Sequence, residues 1–133
     1  ELILGAWYTP DGKRVLCLNW PESTVYRFYS HDGRPEEVAP FLDASSFVVT
    51  FSADGRHVYF YERSVGYGAK EVPAKVYRAE ISTGRREVWR ELVPGDPIGV
   101  RSISNIHITP DGKSYAYTAV RNLSELYLVS GLR

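Results

Sequence analysis

The residues able to carry acid–base, metal or nucleophilic chemistry in this chain are few and scattered. His31, His57 and His107 lack the close spacing of a metal-ligand set. Ordinary packing is expected for His57 and His107, beside or within strands, and exposure for His31 before a turn. Cys17 stands alone in an alternating run, where a small buried hydrophobe rather than a nucleophile is expected. Glu36 and Glu37 are neighbours on an expected strand and so point to opposite faces, the wrong placement for an acid–base pair. No G-x-S-x-G elbow occurs, and the loops PGDPIG and SVGYG carry neither a Walker lysine nor a dinucleotide fingerprint. The expectation is a chain with no catalytic residue, no metal site and no cofactor.

Recognition suits the residues better than reaction. Tyr67, between Gly66 and Gly68, and Trp20, before Pro21, could each stack on a ligand or pack locally. Arg63, Lys70 and Arg101 could meet an anionic partner or stand as solvated loop charges. Asp96, in PGDPIG, is expected to cap a turn through its side chain rather than to hold a metal.

What positions these loops is a phrase written three times: WYTPDGKRVLCL at 7–18, TFSADGRHVYFY at 50–61 and HITPDGKSYAYT at 107–118. Each is an alternating apolar run, a tight turn, and a second alternating run. The turns rest on Asp11-Gly12, Asp54-Gly55 and Asp111-Gly112, where Gly takes the left-handed conformation that closes a short hairpin. A second landmark follows, Val25-Tyr26-Arg27 leading to Asp32-Gly33 and Val76-Tyr77-Arg78 to Thr83-Gly84, with a shorter copy from Leu126-Tyr127-Leu128 to Ser130-Gly131. Convincing helical periodicity is missing nearly everywhere. The reading is all-β: three antiparallel meander units of the kind that form β-propeller blades, the third lacking its outer strand. Blade 1 is expected over about 3–42, blade 2 over 46–92 and blade 3 over 104–130, with a strand at 125–130, in one partial propeller domain spanning 1–133.

In a meander the Asp-Gly turns share one end of the sheets, and the loops holding Trp20, Arg63, Tyr67, Lys70, Asp96 and Arg101 share the other or border it. The interval from Asp54 to Asp111 exceeds that from Asp11 to Asp54, and the additional residues all fall in blade 2's loops at this second end. Scaffolded variable loops are where binding concentrates, so this face is the expected site. The tight-turn end is expected to offer little material for a pocket.

Composition narrows the partners. Sixteen basic residues balance sixteen acidic ones, which argues against a nucleic-acid track. The arginines alternate with glutamates, as in Arg85, Arg86 and Arg90 among Glu80, Glu87 and Glu91, and are expected as cross-strand pairs. No apolar run reaches the length of a membrane span, and no secretory leader is visible. Met is absent, even at position 1, so the chain reads as a piece of a longer protein.

The phrase F/I-(S/T)-(P/A)-D-G-(K/R), followed by an aromatic strand and VYR…(D/T)-G, resembles the WD40-like, TolB-type β-propeller repeats of bacteria. The stretch NIHITPDGKSYAYTAVRNLSELYLVSGLR is similar to the C-terminal propellers of bacterial serine/threonine protein kinases. The first resemblance implies a non-catalytic binding or sensing module; the second implies the extracytoplasmic end of a receptor-type kinase. The partner expected is a protein or peptide, with a small ligand second. The alternatives are a substrate-gating propeller of a prolyl-oligopeptidase-type peptidase, and a plain assembly scaffold. Propellers have four to eight blades, so three imply either part of a ring or a homodimer through the open blade flanks.

Overall fold

The computed structural model describes residues 2–20, 25–62 and 72–131. Strands β1 (Leu2–Tyr8), β2 (Arg14–Trp20), β3 (Val25–Ser30) and β4 (Pro35–Val38) form one antiparallel meander sheet. Strands β5 (Ser46–Phe51), β6 (His57–Glu62), β7 (Ala74–Glu80) and β8 (Arg86–Leu92) form a second of the same order. Strands β9 (Val100–Ile108) and β10 (Tyr115–Arg121) form a third, two-stranded sheet. The fold is all-β, as expected, and no helix among the described residues is long and apolar enough to cross a membrane.

Period-two alternation explains how one sheet serves two cores. On β6, Val58 and Phe60 face blade 1, whereas Tyr59 and Tyr61 face blade 3. The blade 1–2 core joins Val58 and Phe60 to Leu16, Tyr26, Phe28 and Phe51; the blade 2–3 core joins Tyr59 and Tyr61 to Val76, Leu92, Ile103 and Ile106. Removing a large side chain such as Phe60, Leu16 or Tyr26 from water contributes about 1.5–3 kcal/mol. The first strand of each unit carries a bulge against the second, between Ile3 and Gly5 on β1, between Val48 and Thr50 on β5, and opposite Ala116–Thr118 on β9. The β9 bulge includes Asn105 at φ 48, a left-handed value that Asn tolerates better than most residues.

The structure departs from the sequence reading in four places. The last strand of blade 1 stops at Val38 rather than running to 42. Ala39 still bonds Tyr26 across the sheet, but Pro40 has no amide to continue the ladder, and the chain turns through Leu42, whose amide returns to the Ala39 carbonyl. Strand β9 begins at Val100, earlier than the expected 104, and so shortens the preceding loop. Residues 122–131, where a strand at 125–130 was expected, form none, leaving the third unit with two strands. The chain instead runs straight on, the Asn122 amide bonding the Gly99 carbonyl, and Ala116, Thr118 and Ala119 of β10 stay exposed. His107 is exposed rather than packed, because the buried residues Ile106 and Ile108 on either side of it serve the blade 2 core.

Candidate functional site

The Asp-Gly turns are built alike. In the first, the Thr9 amide bonds the Arg14 carbonyl at 3.0 Å and the Gly12 amide bonds the Thr9 carbonyl at 2.9 Å. The Asp11 carboxylate accepts from the Thr9 hydroxyl at 2.6 Å and from the Lys13 amide at 3.0 Å. Asp54 does the same with Ser52 and Arg56, and Asp111 with Thr109 and Lys113. Gly12, Gly55 and Gly112 sit at φ 69, 70 and 68, where a side chain would be strained. The hydroxyl bond is the main cause holding each aspartate below the usual carboxylate range, followed by the amide bond. These carboxylates are committed to the turn.

The same end also holds a groove, which the sequence reading did not foresee. It has a volume of about 840 Å³ and runs along the seam between blades 1 and 2. Its apolar lining comes from Phe28 on β3, Val38 on β4, Phe41 in the following turn, and Ile81 after β7. Its charges are Arg14, Glu37, Arg56 and Glu80, and the 82–84 turn closes one side. A smaller hollow of about 320 Å³ between the first two Asp-Gly turns shares Arg14 and Gly55 with it. A third, of about 340 Å³, shares Pro40, Phe41 and Gly84. The three adjoin one another through these shared residues, a trough along the seam.

Phe41 lies beside Gly84, whose φ of 71 favours glycine and where a Cβ would meet the Phe41 ring in ordinary contact at 3.4 Å. The charges are unequal in availability. The Arg14 guanidinium stacks 4.5 Å from the Phe28 ring centre and reaches Glu37 at 2.6 Å and Glu36 at 3.7 Å. A single long arginine thus engages two carboxylates that strand alternation would have set apart. Glu80 accepts from the Thr83 hydroxyl at 2.7 Å. Arg56 forms no ion pair among the described residues, although its backbone serves the Asp54 turn and bonds Ile81. The trough is therefore mixed in its walls: Glu37 is paired with Arg14, Glu80 is held by a hydroxyl, and Arg56 stands without an ion pair among the described residues.

At the opposite end the expected site is only partly described. Arg63, Tyr67 and Lys70 lie outside the described residues. The backbone of Trp20 ends β2 opposite Leu2. Arg101, on β9, is exposed. Asp96 accepts the Ile98 amide at 3.0 Å and pairs with Arg121 at 2.8 Å, while Arg121 also bonds the Asp96 carbonyl at 2.6 Å. The amide bond first, and Arg121 second, hold its carboxyl below the ordinary range. Asp96 thus ties the β8–β9 connection to β10.

Cys17 is buried on β2, and that burial pushes its thiol up, the wrong direction for a nucleophile. His31, His57 and His107 join no group of three metal-ligating side chains among the described residues. Of the arginines expected in cross-strand pairs, Arg86 pairs with Glu62 and Arg90 lies over the Trp89 and Tyr115 rings, while Glu87 and Glu91 pair instead with Arg78 and Lys75, their register partners on β7. The trough was missed because its walls come from segments far apart in sequence. The one usable signal was APFL at 39–42, an apolar run that a proline takes out of the sheet.

No family model and no curated protein matches this chain. Among solved structures it is similar to the crystal structure of TolB from Acinetobacter baumannii, with a TM-score of 0.55 and 21% identity, over 90% of this chain and 27% of that one. The likeness supports the TolB-like propeller fold and assigns the sheets as blades. The chain spans about a quarter of the length of that neighbour.

Proposed function

We propose that this chain is a non-catalytic protein-interaction module of TolB-like propeller fold, and that the blade 1–2 trough receives an extended segment of a partner protein. The trough itself carries this reading. Its volume lies in the range of recognition sites, roughly 300–1,000 Å³, and the two adjoining hollows along the seam would give an extended segment further contacts. Phe41, Val38 and Ile81 offer apolar contacts, and Arg56 offers a charge-assisted hydrogen bond to an acidic residue. The rival surface is the opposite end, with Arg101 and the loop holding Arg63, Tyr67 and Lys70. A TolB-like fold does not choose between them, since function resides in sites rather than folds.

The finer reading, a sensor at the extracytoplasmic end of a receptor-type serine/threonine kinase, rests on the resemblance of residues 105–133. A kinase domain and membrane span upstream in the same reading frame would support it; a G-x-S-x-G segment downstream would favour the peptidase alternative.

Selection of random peptides on the immobilised chain tests the trough. Enriched sequences should pair an acidic residue with bulky apolar ones and lose at least tenfold in affinity to Arg56→Glu or Phe41→Ala. Peptides that ignore both changes but are lost with Tyr67→Ala plus Arg101→Ala would move the site to the opposite end.

A further inference from the structure

The third blade is unfinished in a specific way. In blades 1 and 2 the second strand is central, paired on both sides, and its core side chains are almost fully covered: Leu16, Val58 and Phe60 are each 0% exposed. In blade 3 the equivalent strand, β10, is an edge among the described residues. Beyond it, Leu123, Leu126, Tyr127, Leu128 and Val129 stand 69–98% exposed, an apolar stretch rich in strand-forming residues and without burial. An open edge beside an exposed strand-forming segment is a pairing template in search of a strand.

The repeat supplies the register. The offset that carries Asp11 onto Asp111 carries Leu16 onto Ala116, and the landmark that sets Tyr26 on Tyr127 carries Phe28, the partner of Leu16 in blade 1, onto Val129. Val129 is thereby matched to a place opposite Ala116. The segment does not fold back to take that place. Instead the Asn122 amide bonds the Gly99 carbonyl at 2.9 Å, prolonging the β9–β10 ladder and carrying the chain straight past the strand end. Only residues 122–124 separate β10 from the strand-like stretch, and a short hinge favours exchange between copies over self-closure.

We propose that residues 124–130 of one copy add as a third strand to the β10 edge of a second copy, reciprocally, giving a two-fold strand-exchanged dimer. The area suffices. At about 25 cal per Å² and 1.5–3 kcal/mol per side chain, the four apolar residues from Leu126 to Val129 represent roughly 400 Å² per copy. Doubled by reciprocity, and again by the strand edges they cover, this falls near the roughly 1,200–2,000 Å² of a stable interface. The exchange is distinct from a dimer through the open blade flanks and independent of the trough.

Light scattering of the chain should give a mass near twice its 15.1 kDa. Truncation after Asn122, or Leu126→Asp with Leu128→Asp, should halve that mass without altering the far-ultraviolet spectrum of the remaining strands. The two introduced thiols of an Ala116→Cys copy mixed with a Val129→Cys copy should form an interchain disulfide, the positions being direct neighbours across the new ladder. A monomeric chain overturns the proposal. So does an intrachain cross-link at monomer mass in the doubly substituted Ala116→Cys, Val129→Cys chain, which would mean that the segment closes on its own edge. A dimer that survives the truncation overturns it in favour of the flanks.

Discussion

The Ala53 amide donates a hydrogen bond to the Pro110 carbonyl at 3.1 Å, so the Asp-Gly turn of blade 2 is fastened to that of blade 3. Position 53 is where the other two turns carry Pro10 and Pro110, which have no amide to give. Blade 2 departs from proline at the one turn whose amide is used across a seam. Between blades 1 and 2 no such bond is seen among the described residues, and there the seam opens into the trough.

Ala53→Pro separates turn geometry from that bond. Proline suits the corner and restricts the unfolded chain, a gain of about 0.4–1 kcal/mol, while the lost bond costs about 0.5–1.5 kcal/mol. The urea midpoint should move little. Hydrogen exchange should nevertheless quicken on β9 and β10 and not on β2 and β3.

Gly5→Ala should destabilise by about 1–3 kcal/mol through overpacking. An added Cβ would meet the Trp7 indole at 2.3 Å, and Trp7 in turn lies 6.0 Å from the Tyr26 ring. In a Trp7→Leu background the same change should cost much less. Chemical denaturation of the four-member cycle measures the difference, and additive costs would refute the contact.

Tyr26 is buried, and its hydroxyl donates to the Ser46 carbonyl at 2.5 Å. Burial pushes its ionisation up from 10.0 to about 12. The folded value lies above the unfolded one, so the contribution to stability is full below pH 10 and is lost as pH rises through 12. Tyr26→Phe should remove that alkaline component from the stability profile. It should also cost about 1–3 kcal/mol at neutral pH by leaving the Ser46 carbonyl unpaired.

The turn aspartates act at the other end of the pH scale. Asp11, Asp54 and Asp111 all titrate below 3.8 in the folded chain. Their stabilisation is present above the unfolded value and is lost as pH falls through the lower folded values. Asp54→Ala should flatten the acid limb of a thermal-melting profile while shifting the neutral midpoint less than a core truncation does. Phe60→Ala, at a fully buried position, supplies that comparison at about 3–5 kcal/mol.

The Asp-Gly phrase was legible because turn chemistry is local: Thr9, Asp11 and Gly12 settle their hairpin with no help from distant residues. The strands were legible because alternation is local too, as Val58 to Tyr61 illustrate by sending successive side chains into different cores. Leu126 to Val129 carry a comparable apolar run and form no strand, since pairing depends on what covers the face. Phe41, Arg56 and Ile81 could not be recognised as neighbours from their positions in the chain, for only the packing of two sheets joins them.

The sequence by itself determined the repeat, the strand-and-turn order and the all-β class, because short-range sterics and hydrogen bonding dictate each turn and each alternating run. Tertiary structure alone decided where the blades meet tightly, where they part into a trough, and which edge is left open. Those outcomes depend on burial between segments far apart along the chain, and no local pattern encodes which surfaces will come to share a seam.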